Sequence, residues 1–218
     1  MKRLVFIVEG DTEIKLVDRL LVPHLVGLGF QNSMYAQTII TNRKQHKKGG
    51  VTSYGLFRNE VGRTLAQGNV IVTTMIDFFR LPTDFPSFTT DSTKIDQIEQ
   101  AVHGDLDNHP DFIPYIQRHE LEALMFSDRS GFELVIDDDG KMQQIDDILK
   151  QYPNPEDINN NPETAPSKRL QQIFNYDKTG DGELIFEMIG IGNIMDKCPR
   201  FATWIARIVS KLKETTPK

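Results

Sequence analysis

The sequence has little cysteine and no long apolar run. Its single cysteine, Cys198, has no partner for an internal disulfide. No segment approaches the roughly 18 consecutive apolar residues of a membrane helix. The apolar stretch near the N-terminus is ended by Glu9 and Asp11 before it reaches the length of a signal peptide. These absences predict a soluble, reduced, cytoplasmic protein that has no membrane partner.

Excess positive charge is also missing. The 218 residues carry a formal net charge of -6, and the pI is near 5.4. This balance argues against a protein that binds nucleic acid over its whole surface, so a polyanion would have to be bound by a local basic patch. Apolar residues are plentiful, at 39% of the chain with thirteen Phe, and they suffice for one sizeable core.

Apolar strand patterns alternate with helical patterns along the first 130 residues. Strands are predicted at 4–8, 37–41, 69–76 and 112–117, with helices between them. This order predicts an α/β, doubly wound, mainly parallel four-stranded sheet with helices on both faces. Beyond about residue 130 the sequence is polar and then helical again. We therefore predict an α/β domain over residues 1–130 and a helical C-terminal extension over residues 131–218 that packs on it.

Acidic side chains follow the predicted strands where the strands end. Glu9 follows the first strand, Asp77 the third, and Glu120 and Glu122 the fourth. Because the carboxyl ends of parallel strands meet at one edge of a sheet, these acids are predicted to share a site. Clustered carboxylates repel one another unless a cation lies among them, and oxygen ligands favour Mg²⁺ or Mn²⁺. The pattern predicts metal-dependent phosphodiester chemistry.

A structural interpretation of the same acids stays open. An acid after a strand can cap the next helix or lie in its first turn, which is the interpretation that Asp11 and Glu13 favour. Glu9 fits it least, because Gly10 lets the backbone turn sharply beside it. Glu120 and Glu122 could lie on a solvated helix face, and only one of them would reach the site if a helix begins at His119.

Basic residues that could bind phosphates occur in three segments. The loop NRKQHKKGG follows the second predicted strand and lacks the spacing of an NTP-binding P-loop. Two further cations open a predicted helix in APSKRL, and another lies in YDKTGDG. Ordinary surface charge is the alternative interpretation. The candidates for nucleic-acid contacts are Lys44, Lys47, Lys48, Lys168, Arg169 and Lys178.

Six motifs, in order, carry a resemblance to a known family: VEGDTE, MIDFFRLPTDFP, RHELEALMFSD, APSKRL, YDKTGDG and CPRFATWI. They resemble the TOPRIM-clan family numbered four-two-seven-six among domains of unknown function, which is related to the nucleases of the overcoming lysogenization defect group. The resemblance implies a TOPRIM-like sheet and a Mg²⁺-dependent nuclease whose first ligands are Glu9 and Asp77. It also implies a role in phage defence beside an ATPase partner.

The resemblance is incomplete at Phe79. The TOPRIM pattern has an Asp-x-Asp pair, whereas this chain reads Asp77-Phe78-Phe79. One interpretation is that Glu120 or Glu122 supplies the missing carboxylate from the neighbouring strand. The other is that the chain is a catalytically degenerate binding module that serves an ATPase.

Overall fold

The computed structural model describes residues 1–42, 47–48, 50–158, 161, 163–178 and 180–215. Its strands, in chain order, are β1 (Arg3–Val8), β2 (Met34–Thr38), β3 (Ile40–Asn42), β4 (Lys47–Lys48), β5 (Val70–Asp77), β6 (Phe112–Ile113) and β7 (Ile116–Gln117). Its α-helices are α1 (Asp11–Leu16), α2 (Val22–Gly27), α3 (Tyr54–Leu65), α4 (Ile95–Asp105), α5 (Asp139–Gln151), α6 (Pro166–Ile173), α7 (Asp181–Lys197) and α8 (Pro199–Thr215). A π-helical turn (Val17–Leu21) joins α1 to α2, and the 3-10 turns are Ser92–Lys94, Leu121–Ser127, Arg129–Phe132 and Pro155–Asp157.

The main sheet is parallel and has the order β2-β1-β5-β6, with β7 also pairing with β5. Leu4 of β1 lies opposite Met34 on one side and Ile71 on the other. The residues from Leu4 to Val8 have no solvent exposure, because helices cover both faces of the sheet. The predicted α/β class, with a parallel sheet and a helical C-terminal part, is confirmed.

Successive residues of β1 enter different cores. Leu4, Phe6 and Val8 pack in a large core with apolar residues of α1, α2, α7 and α8. Val5 and Ile7 pack in a second core with α3 and α4. This alternation is the period of two that a strand imposes. The large core contains residues from both sides of residue 130, and the proposed division of the chain there stays a prediction.

Two predicted strands have different limits in the structure. β2 begins at Met34 and ends at Thr38, while Ile40 to Asn42 form a separate antiparallel ribbon with β4. β2 is only half-buried along its length, so it lacks the continuous apolar signal that marks β1. The predicted strand at 112–117 is divided into β6 and β7, because Pro114 has no N–H to donate.

Side chains cover the outer edge of the sheet, where β6 and β7 have no further strand beside them in the described part of the chain. Glu99 of α4 accepts a hydrogen bond from the Ile116 N–H at 2.8 Å, and the Arg200 guanidinium donates to the Ile116 carbonyl at 3.4 Å. Arg200 also pairs with Glu99 at 2.7 Å and with Asp96. Glu156 accepts from the backbone N–H groups of Arg200 and Phe201. We call Asp96, Glu99, Glu156 and Arg200 the Arg200 network.

The C-terminal helix α8 is fixed to the sheet through Trp204. The indole N–H of Trp204 donates to the Thr73 hydroxyl at 2.8 Å, and its ring stacks on Tyr115 with a centroid separation of 4.4 Å. Both rings are almost fully buried, so a large apolar area is removed from water here. Within the described ranges, no helix is long and apolar enough to cross a membrane.

Candidate functional site

Glu9 and Asp77 meet where β1 and β5 end. Glu9 directly follows β1, and Asp77 is the last residue of β5. The Asp77 N–H donates a hydrogen bond to Oε2 of Glu9 at 3.1 Å. A second bond from the Val51 N–H also favours the ionised form of Glu9. The Glu9 carboxylate is therefore held at the carboxyl edge of the sheet by backbone donors.

Glu13 reaches the same place from the first turn of α1. Gly10 precedes this helix in an extended conformation, and a Cβ there would lie 3.3 Å from Oε2 of Glu13. The missing side chain of Gly10 gives the Glu13 carboxylate room to fold back toward the end of β1. Only 4% of Glu13 is exposed to solvent. A first-turn acid is thus buried at the site instead of facing water.

Glu122 joins these acids from the buried 3-10 turn after β7. Its side chain is 0% exposed, and its Oε1 accepts a hydrogen bond from Nζ of Lys178 at 3.0 Å. The Tyr176 hydroxyl lies 3.5 Å from the same oxygen. Oε2 of Glu122 is buried and has no hydrogen-bond partner among the described residues. We call Glu9, Glu13, Asp77 and Glu122 the carboxylate cluster.

Burial and mutual repulsion raise pKa values in the carboxylate cluster. Burial is the largest cause for each of the three shifts, and it raises the pKa of Glu13 to about 6. The pKa of Asp77 is raised well above its usual value by burial and then by the charges of Glu13, Glu9 and Glu122. Burial also raises the pKa of Glu9, against its backbone hydrogen bonds. The cluster therefore holds negative charge that the protein compensates only in part.

Lys178 is the cation that faces this cluster. Burial alone would lower the pKa of its ammonium group, but Glu122, Glu13 and Asp77 together raise it above the usual value. Half of the side chain remains exposed, at 50%. Lys178 therefore stays charged and links the cluster to solvent.

Glu120 points to a different partner. Its Oε2 accepts a hydrogen bond from the Ser167 N–H at 3.0 Å, and its Oε1 accepts one from the Ser167 hydroxyl at 3.1 Å. The residue before α6, Ala165, has no side chain that could cap the helix. Glu120 thus satisfies a free N–H at the start of α6 from another segment. Of the two acids predicted after the fourth strand, the structure brings Glu122 to Asp77 and leaves Glu120 at α6.

The other basic candidates lie apart from the cluster or outside the description. Lys168 is exposed and donates to Gln171 at 2.9 Å. Arg169 donates to the Thr164 carbonyl at 2.9 Å and lies 5.3 Å from the centre of the Tyr152 ring. Lys44 lies outside the described residues, and of Lys47 and Lys48 only the backbone, in β4, is described. A role of these residues in binding nucleic acid stays a prediction.

The carboxylate cluster is not already arranged around an ion. In the part of the chain that the structure describes, no three His, Cys, Asp or Glu side chains stand as the ligands of one metal would. Phe79, two residues after Asp77, is partly buried and donates its N–H to the His119 carbonyl at 3.2 Å. Any shared ion would therefore need the carboxylates to turn toward it.

The sequence alone predicts other roles for two of these residues. Glu13 fits a helix cap, and the signal that indicates its place at the site is the glycine three residues before it, at Gly10. Lys178 was a candidate for phosphate contacts, without a relation to the acids. Nothing in the local sequence around Lys178 indicates that Glu122, 56 positions earlier, is its partner.

These features define an α/β protein with a parallel sheet and a cluster of buried and half-buried carboxylates at the carboxyl edge of that sheet. The chain belongs to the family described as a domain of unknown function, DUF4276, whose model matches residues 8–209. The match spans the carboxylate cluster and most of α8. No curated protein and no solved structure gave a significant match to the chain.

Proposed function

We propose that the chain is a metal-dependent, TOPRIM-like nuclease that hydrolyses phosphodiester bonds in nucleic acid. The observation that carries the proposal is the charge imbalance of the carboxylate cluster. Four carboxylates face one described ammonium group, and Oε2 of the fully buried Glu122 lacks a partner within the described ranges. A buried carboxylate without compensation is unfavourable by several kcal/mol or more, so the cluster favours a second cation.

The donor set fits Mg²⁺ or Mn²⁺. Both ions prefer carboxylate oxygens and retain water molecules that a phosphate can replace. Glu9, Asp77 and Glu122 would hold the ion, with Glu13 beside them. When bound, the ion would neutralise charge on the phosphate and activate a water molecule.

The residues of the chain have separate tasks in this proposal. The Asp77 N–H orients Glu9, which keeps one carboxylate fixed at the end of β1. Lys178 is half-exposed, and we assign its ammonium group to a phosphate oxygen of the substrate. A bound phosphate would then replace Glu122 as the anion that pairs with Lys178.

The TOPRIM resemblance extends the proposal to a biological setting. Related nucleases work with ATPases in bacterial defence, and we propose the same association with an ATPase partner here. Co-purification with an ATPase encoded beside this chain tests it. If the two proteins do not associate, this extension fails while the nuclease proposal stands.

A catalytically degenerate binding module is the second candidate. Two observations favour it: Phe79 lies where the TOPRIM pattern has its second aspartate, and Lys178 already contributes a positive charge to the cluster. In that protein the lysine would permanently replace the ion, and the site would bind a partner without reacting.

Mn²⁺ binding and nuclease assays on matched variants distinguish the two candidates. Glu122→Gln should lower Mn²⁺ affinity by more than about 100-fold, and it should lower the cleavage of plasmid, single-stranded DNA or RNA by as much. The loss of a residue that only hydrogen-bonds to a metal ligand already lowers metal affinity or activity by about 10–100-fold. Glu120→Gln is the control, since Glu120 hydrogen-bonds Ser167 at the start of α6, and it should stay close to the wild type. A wild type that neither binds Mn²⁺ nor cleaves any substrate would refute the nuclease and favour the degenerate module.

A further inference from the structure

Phe79 and Arg80 form a tight turn directly after the carboxylate cluster. The Leu81 N–H donates to the Phe78 carbonyl at 3.1 Å, which makes Phe79 and Arg80 the two central residues of a β-turn. The Phe79 N–H donates to the His119 carbonyl at 3.2 Å. The turn begins one residue after Asp77, so the pair is held beside the cluster by backbone hydrogen bonds.

Arg80 occupies a backbone position that favours glycine. Its φ is +63°, and the second central residue of a turn with positive φ is usually Gly or Asn, because other side chains are disfavoured there. An arginine at this position makes the turn less stable than a glycine would. Residues held in sparsely populated backbone regions are concentrated at functional sites, which makes Arg80 a candidate for a ligand contact.

Among the residues that the structure describes, the Arg80 guanidinium has no polar partner. Among the arginines that the structure describes, only Arg80 and Arg207 make neither a hydrogen bond nor an ion pair. Arg80 is exposed and its guanidinium lies 5.1 Å from the centre of the partly buried Phe79 ring. A planar cation that lies over an aromatic ring is thus available to a ligand beside an acidic site.

We propose that Phe79 and Arg80 form a platform on which a nucleobase of single-stranded nucleic acid stacks, while the guanidinium also contacts the neighbouring phosphate. Aromatic rings and arginine planes are the groups on which unpaired bases stack. Bases inside a duplex already stack on both faces, so the platform selects single strands. This inference rests on the proposed nuclease function and names its substrate class.

Oligonucleotide binding by the full chain tests the platform. Fluorescence anisotropy with Ca²⁺ present would measure the affinity for labelled oligo-dT and oligo-U 15-mers and for a duplex of the same length. Arg80→Gly relieves the positive φ and should leave the melting temperature equal or higher, yet lower single-strand affinity about tenfold, as expected for loss of one stacked base. Phe79→Leu should lower it similarly. Arg207→Ala removes the same charge from the other described arginine that makes no hydrogen bond or ion pair, and it should have little effect on oligonucleotide binding.

Three results would overturn the platform. The first is single-strand binding by Arg80→Gly within about twofold of the wild type, because loss of one stacked base should lower affinity by more than that. The others are a wild type that binds the duplex more tightly than the single strands, and a wild type that binds no oligonucleotide at all. The two single-stranded probes separate DNA from RNA as the substrate. Mn²⁺ binding by the wild type tests the proposed nuclease site separately, because an ion does not need Phe79 or Arg80.

Discussion

The carboxylate cluster and the Arg200 network both bury acids beside a basic residue, but they satisfy those acids differently. In the Arg200 network, Glu99 accepts hydrogen bonds from the Ile116 N–H and from Arg200. Glu156 accepts one bond on each oxygen from backbone N–H groups. In the carboxylate cluster, Oε2 of Glu122 has no partner among the described residues.

Under the proposed function, this difference separates an acid that stabilises the fold from an acid that is available to a ligand. Burial raises the pKa of Glu99 and of Glu156, so burial alone does not identify a site. In the carboxylate cluster, like charges add to burial, and Asp77 is opposed by Glu13, Glu9 and Glu122 at once. Repulsion of this kind persists only where the fold imposes it, and it is typical of sites that bind a cation.

Breaking the Arg200 network should have the largest effect on stability. Arg200→Met leaves Glu99 buried without its cation, and breaking such a pair costs about 3–5 kcal/mol. The side chain of Arg200 is only 22% exposed, so water screens the pair little. Urea unfolding measures the loss. Mn²⁺ affinity should not change, because the network does not include the carboxylate cluster.

Arg129→Met is the matched control for that variant. Arg129 pairs with Glu133 and Asp146, but its side chain is 46% exposed, and exposed pairs contribute only about 0–1 kcal/mol. An equal loss of stability in the two variants would refute the view that the Arg200 network is a buried structural pair.

Stability should fall as pH rises through the range in which Glu13 of the carboxylate cluster ionises. The pKa of Glu13 is raised from 4.5 to about 6, so the folded protein keeps a proton that the unfolded chain has released. The raised pKa of Glu13 therefore contributes on the order of 2 kcal/mol to the free energy of unfolding. This contribution is fully present below pH 4.5 and is lost as pH rises past 6. Urea unfolding at several pH values measures it, and Glu13→Gln should reduce the slope.

Asp105→Asn provides the opposite control. Hydrogen bonds from Tyr54 and Arg58 lower the pKa of Asp105, so the stability that Asp105 contributes is lost as pH falls. Its removal should not flatten the decline between pH 4.5 and 6. A wild-type stability that rises across this range would contradict the assigned ionisation of Glu13.

The central strands could be predicted closely, and the edges could not. β1 and β5 are continuous apolar runs, and the predicted limits differ from the structure by one residue. β2, β6 and β7 lie at the edges of the sheet, where partial exposure and Pro114 weaken the pattern. A strand that is buried on both faces therefore carries more information in its own sequence than one at an edge.

The candidate site was predictable only where a strand end fixes the side chain. Glu9 and Asp77 follow from the ends of β1 and β5. The choice between Glu120 and Glu122 depends on a buried 3-10 turn that begins after His119, whose φ is +69°. No periodic pattern predicts that turn. Contacts between distant segments, such as the contact of Lys178 with Glu122, are set by packing.

Removing Lys178, the cation that faces the carboxylate cluster, measures the cost of an unpaired acid there, as Arg200→Met does in the Arg200 network. Lys178→Met leaves Glu122 with neither oxygen in an ion pair. Because Lys178 is 50% exposed, solvent screens the pair, and the expected loss in the free energy of unfolding is roughly 1–2 kcal/mol, below that for a fully buried pair. Urea unfolding of the metal-free protein at pH 7.5 measures this loss.

The effect of added Mn²⁺ on stability then shows whether the carboxylate cluster binds a metal ion beside Lys178 or has Lys178 as its permanent cation. If the cluster is a metal site, the ion supplies the missing positive charge, and Mn²⁺ should stabilise Lys178→Met by more than it stabilises the wild type, by RT ln(1 + [L]/Kd). Lys168→Met, which removes a lysine that contacts Gln171 and no cluster acid, should respond as the wild type does. If Mn²⁺ stabilises none of these proteins, Lys178 is the permanent cation of a degenerate site, and the carboxylate cluster resembles the Arg200 network after all.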